Sequence, residues 1–344
     1  MSERVMARVV RIDAVEKHPN ADALDICTVG GWRVVTKIGE YKAGDLAVYC
    51  EIDSWIPADI APFLSKGKEP REFNGVKGER LKTARLRGVV SQGLLLSMNV
   101  LNVEQDGVVF ESLADDGCDV SEILHIVKWE APVPACLAGM MRGNFPTDVP
   151  KTDQSRCQNL VAEINAAYEA GLLFEVTEKL EGSSCTMYLD VNNDFHVCSR
   201  NLDLKEDDSN SFWQAAKMYD VNQRMLDFGM TGYAIQGELI GNKLNGNIYR
   251  LSGIDFYVYD IYDVHAGKYL SPEQRRKVVA DLGLKHVPVL EKHTTLGTVE
   301  DLIAFADGKS MLYDTLREGV VFKQVDGPMT FKAISNEYLL KSGG

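Results

Sequence analysis

The stretch LFEVTEKLEGSSCTMYLDVNN, from Leu173 to Asn193, decides the fold of the C-terminal part of the chain. Apolar and polar residues alternate on both sides of a charged corner, which is typical of two strands joined by a tight turn. Lys179 stands at the corner, and Gly182 completes a Lys-x-x-Gly pattern. This arrangement suits a covalent lysine nucleophile, with a glycine that lets a phosphate approach the backbone. Taken alone, the pattern is far more typical of an exposed lysine at a hairpin, because Lys-x-x-Gly occurs by chance in many proteins.

Further stretches follow Lys179 in a fixed order. They are Ser199-Arg200-Asn201, QGEL (Gln236 to Leu239), FYVYDI (Phe256 to Ile261), EGVVFK (Glu318 to Lys323) and Phe331-Lys332. The ordered set resembles the motif series of the covalent nucleotidyltransferases, which include the ATP-dependent polynucleotide ligases and the mRNA capping enzymes. The resemblance extends from Lys151 to the C-terminus, and it implies that Lys179 forms an enzyme adenylate.

The composition is that of an ordinary globular protein, with 45% hydrophobic and 25% charged residues over 344 positions. A chain of this length is expected to form two domains with separate cores. The first residues alternate like a strand, and no apolar run approaches the ~20 residues of a membrane span. We therefore expect a soluble, intracellular protein, cytoplasmic with the nucleus left open, that has no membrane partner.

The seven cysteines are scattered without a Cys-x-x-Cys pair, which argues against a disulfide framework or a zinc site and favours a reducing compartment.

The net charge of −13 is unexpected for nucleic-acid binding unless the basic groups are clustered. One cluster lies between Lys66 and Arg87, with eight basic residues against three glutamates. It is either a solvated, mobile loop or a loop that follows a phosphate backbone, with Arg85 and Arg87 as its most ordered members.

The N-terminal part carries short alternating strands separated by turn signals, which predicts a small β-barrel. HPNADALDICTV (His18 to Val29), followed by RGVVSQGLLLS (Arg87 to Ser97), resembles the tRNA-binding type of OB-fold and implies a barrel that binds nucleic acid. A proline-rich stretch follows and predicts a linker. The expected domains are 1–130, a linker at 131–155, and a nucleotidyltransferase domain at 156–344.

Strands and helices mix in the C-terminal part without βαβ regularity, which predicts an α+β fold. The resemblance implies an ATP-grasp-like arrangement of antiparallel sheets with helices. We predict helices over 153–170 with Gly171 as the stop, over 212–228, over 271–282 with Ser271 as the cap, and over 298–305.

The resemblance assigns the first chemical step to Lys179, which would attack the α-phosphate of ATP and release pyrophosphate. The attacking amine must be neutral, although a free lysine has a pKa of about 10.4. Glu178 and Glu181 would raise the pKa of Lys179 further if they lay close. Bound Mg²⁺ or Mn²⁺ would oppose them, and Lys323 and Lys332 would help to neutralise the α-phosphate in the transition state.

The remaining site residues follow from their types. Arg200 can grip a phosphate or a ribose, and Glu238 and Glu318 can bind ribose hydroxyls or metal-bound waters. Tyr259 matches the aromatic that stacks on adenine in related ligases, with a plain core aromatic as the alternative. The predicted nucleotide-binding residues are Glu178, Glu181, Gly182, Arg200, Glu238, Tyr259 and Glu318, and those predicted to handle metal are Glu238 and Glu318.

Three positions need a structural explanation. Strict alternation puts Tyr259 on the face opposite to Asp260. Glu318 and Lys323 differ in parity, so a turn or bulge must intervene if both serve one site, and a surface ion pair is the alternative. Several related ligases end in Lys-x-Lys, whereas Ile334 stands at the second position here. Either Lys332 suffices or Lys341 takes part.

The domain order separates the ligase classes. DNA ligases and capping enzymes carry an OB-fold after the last motif, and we expect no such domain here. An N-terminal barrel before the catalytic domain resembles the Deinococcus-type ATP-dependent RNA ligases, which seal 3′-OH and 5′-phosphate ends, especially nicks with an RNA 3′-OH strand. The expected protein is a monomer that acts on RNA. The alternatives are a GTP-dependent capping-type guanylyltransferase, a DNA ligase and a non-catalytic tRNA-binding protein.

Overall fold

The structure is a computed structural model that describes residues 4–102, 104–105, 108–109, 115–130, 139–242 and 244–342. The chain divides into two compact units: Met1–Pro132 together with Leu339–Gly344, and Val133–Tyr338. We call them the N-terminal and C-terminal units. Within the described residues, no helix is long and apolar enough to cross a membrane. The domain limits at 130 and 155 remain predictions, and 131–138 of the predicted linker lie outside the described residues.

The N-terminal unit is built from short antiparallel strands. They are β1 Ala7–Arg11, β2 Ala14–Lys17, β3 Leu24–Val29, β4 Trp32–Lys37, β5 Leu46–Cys50, β6 Ser54–Pro57, β7 Arg71–Phe73, β8 Val76–Arg80, β9 Ala84–Leu86, β10 Val89–Ser91, β11 Leu94–Leu96, β12 Glu104–Gln105, β13 Val108–Val109 and β14 Val127–Lys128. The sheets run β1-β5-β11, β2-β3-β4, β14-β6-β8-β7, β9-β10 and β12-β13. Short 3₁₀ helices cover Pro62–Ser65 and Met98–Leu101.

Alternation along these strands creates two apolar clusters. Trp32 and Tyr49 lie in one of them, and Val9 and Val48 lie in the other. The stretch 66–87, predicted to be a loop in both alternatives, instead contains the whole of β7, β8 and β9.

The C-terminal unit contains two sheets. Its strands are β15 Met141–Asn144, β16 Phe174–Lys179, β17 Ser183–Leu189, β18 Phe195–Cys198, β19 Leu202–Leu204, β20 Tyr233–Gly241, β21 Ile254–Asp263, β22 Lys268–Tyr269, β23 Lys285–His286, β24 Val289–Thr294, β25 Gly319–Gln324 and β26 Thr330–Ile334. The larger sheet has the order β15-β19-β18-β17-β20-β21-β22, with β23 parallel to β21, and the smaller has the order β24-β16-β25-β26. The two strands of the opening stretch, β16 and β17, therefore belong to different sheets.

Six α-helices lie in the described residues. They are α1 Val161–Glu169, α2 Ser211–Met218, α3 Val221–Asp227, α4 Pro272–Asp281, α5 Val299–Ala306 and α6 Asn336–Ser342, with 3₁₀ helices at Cys157–Asn159 and Asn245–Asn247. The capped helices α4 and α5 confirm their predictions, since Ser271 and Thr298 both form capping boxes.

Two predicted helices differ from the structure. The helix predicted over 153–170 begins only at Val161, and Gly171 ends it with a φ of 63°. The helix predicted over 212–228 is divided into α2 and α3, because Asp220 adopts a left-handed φ of 49° between them. Inside the predicted linker, Met141–Asn144 forms β15 at the edge of the larger sheet.

Each sheet of the C-terminal unit buries one face under helices. Side chains of α2, α3 and α4 cover one face of the larger sheet, and side chains of α1 and α5 cover one face of the smaller sheet. The remaining faces carry the polar residues of the motif stretches, and contacts join them: Lys323 Nζ on the smaller sheet lies 2.6 Å from Asp260 Oδ1 on the larger. The predicted α+β class with antiparallel sheets and helices is confirmed.

Candidate active site

Lys179 ends β16 at the meeting of the two sheets, with its side chain 25% exposed. Its Nζ donates to Glu318 Oε2 at 2.6 Å. Burial lowers the pKa of the Lys179 ammonium, but the carboxylates of Glu318, Glu238 and Glu181 outweigh it and raise the pKa above the ordinary value. Lys179 is therefore protonated at neutral pH, and an additional cation near these carboxylates is needed to release its proton.

Three lysines share one face of the smaller sheet. Lys179 pairs with Gly319, and Lys323 pairs with Glu175 two alternations away on the same strands. Lys332 on β26 pairs with Val321 of that face. Directly paired residues of antiparallel strands point to the same side, so the register brings Lys179, Lys323 and Lys332 together on the face opposite to helices α1 and α5.

Glu318 reaches Lys179 without a bulge in β25, whose register with β16 and β26 is continuous. Glu318 precedes the strand, and its carboxylate bonds Lys179 from there. Strand alternation therefore does not apply to Glu318, because β25 begins only at Gly319, and both Glu318 and Lys323 can serve one site. Ile334, at the position of the second lysine in related ligases, pairs with Gly319 and is only 4% exposed. Lys341 is an exposed residue of α6, and its participation stays open.

Lys323 is nearly buried and donates to the Tyr259 carbonyl oxygen at 2.6 Å. Its second contact is Asp260 Oδ1, also at 2.6 Å. Burial and the Arg275 guanidinium together lower the pKa of Lys323 to about 8, against the opposing pull of Asp260. A phosphate bound beside Lys323 would raise its pKa toward the ordinary value, because a second negative charge stabilises the ammonium form.

A β-bulge corrects the predicted placement of Tyr259. Gln236 pairs with Asp260 while Gly237 pairs with Val258, so Tyr259 is an extra residue on β21. The bulge changes the parity of the strand, and Tyr259 and Asp260 both lie on the face turned toward the smaller sheet. The prediction that they lie on opposite faces is wrong for this reason. Val258 stays in the core on the other face.

The Tyr259 hydroxyl is held by Ser184 Oγ at 3.0 Å and by Thr152 Oγ1 at 3.0 Å. Burial raises the pKa of the Tyr259 phenol, so it remains neutral. Thr152 belongs to the Pro-Lys-Thr-Asp stretch that precedes α1. Gln236 donates to the Pro150 carbonyl oxygen at 2.9 Å, so this stretch lies across the polar face of the larger sheet.

Arg200 is half-exposed and donates to both carboxylate oxygens of Asp153, at 2.9 and 2.8 Å. The structure therefore does not bring Arg200 into contact with Lys179, but holds it on the stretch that also contacts Tyr259. Because the pair is exposed, we expect a phosphate to compete with Asp153 for the guanidinium at little cost.

Glu178 and Glu181 occupy different surroundings. The Glu178 side chain lies on the face of β16 opposite to Lys179, where Met311 N donates to its Oε2 at 2.7 Å. Glu181 follows the strand, and its backbone N–H donates to the Tyr249 hydroxyl oxygen at 2.7 Å. Burial raises the pKa of the Glu181 carboxyl. Of the two glutamates, only Glu181 places its charge near Lys179.

Gly182 lies where the chain passes from β16 to β17. A Cβ atom at this residue would lie 2.4 Å from Leu239 O and 2.9 Å from Ile240 Cγ2. The structure thus gives this glycine a packing role against β20, in addition to the phosphate approach that the sequence suggests.

The carboxylates of Glu238 and Glu318 are the oxygen donors that could hold a divalent cation. Burial raises the pKa of Glu238 to about 8, an effect that Glu318 increases and Lys179 opposes. In the described residues, no group of three acidic, histidine or cysteine side chains forms a complete cage. This donor set fits Mg²⁺ or Mn²⁺, because Mg²⁺ commonly keeps several waters and uses one or two carboxylates together with substrate phosphates.

Arg85 and Arg87 lie on the β9–β10 hairpin of the N-terminal unit, and both are exposed. The two-residue turn consists of Arg87 and Gly88, which have φ values of 47° and 93°. His18 Nε2 lies 3.0 Å from Leu86 O, and Asn20 Nδ2 donates to Arg87 O at 3.0 Å. The hairpin is therefore ordered and presents two cationic side chains to solvent.

Comparison with known proteins decides the family. The RNA ligase family matches residues 173–337, and an OB-fold domain matches residues 6–98. An RNA ligase variant from Naegleria gruberi, solved with AMP and Mn, is 41% identical with a TM-score of 0.89, over 98% of each chain. The chain belongs to the RNA ligase family. Another variant of the Naegleria enzyme, solved with ATP and Mn, is 42% identical with a TM-score of 0.88, over 97% of this chain and 98% of that one.

The family assignment confirms the OB-fold of the N-terminal part and the nucleotidyltransferase fold of the C-terminal part. A partial likeness also exists to the phenylalanine–tRNA ligase β subunit of Burkholderia lata, 32% identical over 122 residues. That match takes in 34% of this chain, and the chain spans only 14% of the length of that relative.

Sequence reasoning missed several residues that the structure brings to the site. The sequence assigns no role to Thr152, puts Asp153 at the start of a predicted helix, and gives Asp260 no role in the site. Their acidic or hydroxyl side chains gave no sign of their partners, Tyr259 and Arg200, because the pairing depends on the fold. Glu175 and Arg275 carried no motif signal.

Proposed function

We propose that this protein is an ATP-dependent RNA ligase that joins 3′-OH and 5′-phosphate ends through an adenylate on Lys179. The observation that carries the proposal is the placement of Lys179 among three carboxylates on one side and two further lysines of the same sheet face on the other. The Naegleria structures solved with ATP and Mn, and with AMP and Mn, support ATP and a divalent cation as the partners of this site.

In the first step the Lys179 amine attacks the α-phosphorus of ATP. A phosphorus–nitrogen bond forms, the bond to the bridging oxygen breaks, and pyrophosphate leaves. Lys323 and Lys332 stabilise the negative charge that grows on the α-phosphate. The AMP group then passes to the 5′-phosphate of the nucleic acid, and the 3′-OH of the other end displaces AMP to form the phosphodiester.

The proton on Lys179 must leave before the attack. Glu318 accepts the hydrogen bond from the Lys179 Nζ and can guide this proton away. A divalent cation supplies the positive charge that lowers the affinity of the acidic cluster for the lysine proton. Glu238 and Glu318 would hold it, directly or through waters, and Glu181 adds to the negative potential around it.

The nucleotide base would stack on Tyr259, whose ring is fixed by the hydrogen bonds that its hydroxyl forms with Thr152 and Ser184. Arg200 would exchange Asp153 for a phosphate or ribose oxygen. Gly182 and the backbone of Glu178 border the same corner of β16. Arg85 and Arg87 would bind the backbone of the nucleic acid. The proposed domains are a nucleic-acid-binding domain at 1–130, a linker at 131–155 and a nucleotidyltransferase domain at 156–344.

The substrate is an RNA or a nicked duplex with RNA on its 3′-OH strand, as in the Deinococcus-type ligases that the domain order resembles. An OB-fold before the catalytic domain supports this assignment over the DNA ligases and capping enzymes, in which it follows the last motif. The protein is proposed to act as a monomer in the cytoplasm.

The test is incubation with α-labelled ATP and Mg²⁺ followed by denaturing electrophoresis, in parallel with α-labelled GTP. We expect a labelled band with ATP only, and its complete loss in Lys179→Met. Lys217→Met is the matched control, because Lys217 forms only surface ion pairs with Glu206 and Asp208 and should label normally. Labelling with GTP, or a label that persists in Lys179→Met, would contradict the proposal.

A further inference from the structure

A buried network of charged side chains lies behind Lys323 in the C-terminal unit. Its members come from five elements: Glu175 on β16, Asp260 on β21, Arg275 and Arg276 on α4, His286 on β23 and Lys323 on β25. Glu175 and Arg275 are both fully buried, at 0% exposed. Burying charges costs free energy unless each one is closely paired, so the geometry of the pairs decides what the network does.

Asp260 connects the network to Lys323. The same oxygen, Asp260 Oδ1, lies 2.6 Å from Lys323 Nζ and 3.5 Å from Arg275 Nη1. One carboxylate oxygen is thus divided between two cations. Neither cation is fully neutralised, and Lys323 keeps part of its charge for another anion.

The position of Arg275 is fixed from three sides. Its Nη2 donates to Glu175 Oε1, and its Nε donates to His286 Nε2 at 3.0 Å. His286 can accept this bond only as a neutral ring, and its Nδ1 then donates to Val287 O at 2.6 Å. Burial and the neighbouring guanidinium lower the pKa of His286 to about 3, which keeps the ring in this state.

The network contains one more cation than it has carboxylates. Arg275, Arg276 and Lys323 are positive, Glu175 and Asp260 are negative, and His286 is neutral. Lys323 is the cation of the network that lies on the sheet face carrying Lys179. The excess charge is therefore available where the phosphates of ATP are proposed to bind.

We propose that Arg275, anchored by Glu175, is a positioning residue that acts through Asp260 to hold Lys323 for the α-phosphate of ATP. This inference rests on the proposed function. Without Arg275, Asp260 would be free to pair with Lys323 alone, and the ammonium would be drawn toward the carboxylate and neutralised by it. Arg275 itself contacts neither nucleotide nor RNA in this scheme.

Four variants separate positioning from simple stabilisation. Arg275→Met removes the guanidinium, and Arg275→Lys keeps a cation of reduced reach. The double variant Glu175→Met/Arg275→Met removes both partners of the buried pair, a change that is often neutral or stabilising when the new side chains pack well. Lys285→Met is the matched control, because the Lys285–Asp255 pair also joins β23 to β21 but does not contact Lys323.

The first readout uses the protein without ATP. The pH dependence of acetic anhydride labelling at Lys323, followed by mass spectrometry, reports the pKa of that amine. Arg275→Met should raise this pKa above that of the wild type, because a like charge is lost and Asp260 pairs more closely. The groups that face Lys323 from the packed elements are Glu175, Asp260, Arg275, Arg276 and His286. In Arg275→Met, only Arg275 among them is changed. Lys285→Met should leave the Lys323 pKa as in the wild type.

The second readout is single-turnover adenylylation. We expect the rate at saturating ATP to fall about 10- to 100-fold in Arg275→Met and in the double variant, as when groups that orient a metal ligand are removed. The ATP concentration for half-maximal rate should change less, and Arg275→Lys should recover part of the rate. The melting temperature of the double variant should stay near that of the wild type, which excludes unfolding as the cause.

A double variant with a wild-type adenylylation rate and a wild-type Lys323 pKa would overturn the inference, and Arg275 would then serve stability alone. The two proposals can fail separately. If the wild-type protein forms no adenylate, the proposed function fails, whereas the Lys323 pKa in the ATP-free variants still decides whether Arg275 acts on Lys323. If Arg275→Met does not fold, the double variant supplies both readouts.

Discussion

Replacing Gly182 by alanine distinguishes two explanations for the glycine of the Lys-x-x-Gly pattern. The sequence suggests that Gly182 makes room for a phosphate. The structure shows that it also makes room for the neighbouring strand, because a Cβ atom would lie 2.4 Å from Leu239 O and 3.1 Å from Glu238 Cγ. The conformation of Gly182 is not left-handed, so the effect of the substitution is a matter of space alone.

The size of the effect follows from these distances. Ordinary contact begins at 3.4 Å, so β17 and β20 must separate by about 1 Å beside the Ser183–Leu239 pair. Overpacking of this kind costs about 1–3 kcal/mol of the free energy of unfolding. The same movement carries Glu238 away from Lys179, and a misplacement of about 1 Å in an active site can lower the rate about 10²-fold.

The assays are urea unfolding of the ATP-free protein and single-turnover adenylylation. Gly143→Ala is the matched control, because Gly143 lies on β15 of the same sheet and a Cβ atom there has no neighbour within 4 Å. We expect Gly182→Ala to lose both stability and rate while the control loses neither. A variant that keeps wild-type stability but binds ATP weakly would refute the packing explanation and favour phosphate approach.

Three further predictions address charge. The proposed electrostatic residues are Glu238, Glu318, Lys323 and Lys332. Each single alanine variant should lose at least ~10²-fold in ligation rate, and near-normal sealing by a variant would remove that residue from the site. The Lys179→Met variant cannot form the adenylate, so its ATP affinity can be measured by calorimetry. The affinity should decrease as the pH rises through about 8, because the Lys323 ammonium loses its proton there. A flat pH profile would contradict the role of Lys323. Charge reversal at Arg85 and Arg87 should weaken nick sealing and make it more salt-sensitive while adenylylation stays unchanged, and equal loss of both activities would contradict a role in nucleic-acid binding.

The regular parts of the fold were accessible from the sequence because local signals agreed with the final structure. Ser271 caps α4 as predicted, α5 begins where its helix is predicted with Thr298 as the cap, and Gly171 ends α1. The alternation of β16 placed Lys179 at its end. These features depend on a few neighbouring residues, so a single sequence contains the information that specifies them.

The bulge at Tyr259 was not accessible, because it depends on how two distant strands are paired. Nothing in FYVYDI indicates an extra residue, and a strict period of two then assigns Asp260 to the wrong face. One inserted residue brings Asp260 beside Lys323 and Arg275. The network behind Lys323 could not be predicted for the same reason, since its members are joined only through the fold.

The net charge of −13 does not describe the site, because the site separates its charges. Around Lys179 the acidic groups of Glu181, Glu238 and Glu318 form a cluster that would attract a divalent cation, and the bound cation would favour the ionised form of Glu238. Along the same sheet face Lys323 and Lys332 are positive, and the charges of the network behind Lys323 leave its ammonium as the excess cation. ATP with its divalent cation carries both kinds of charge, so one ligand satisfies both halves of the site. An overall charge of −13 is compatible with this arrangement, because the potential at a ligand depends on the charges nearest to it.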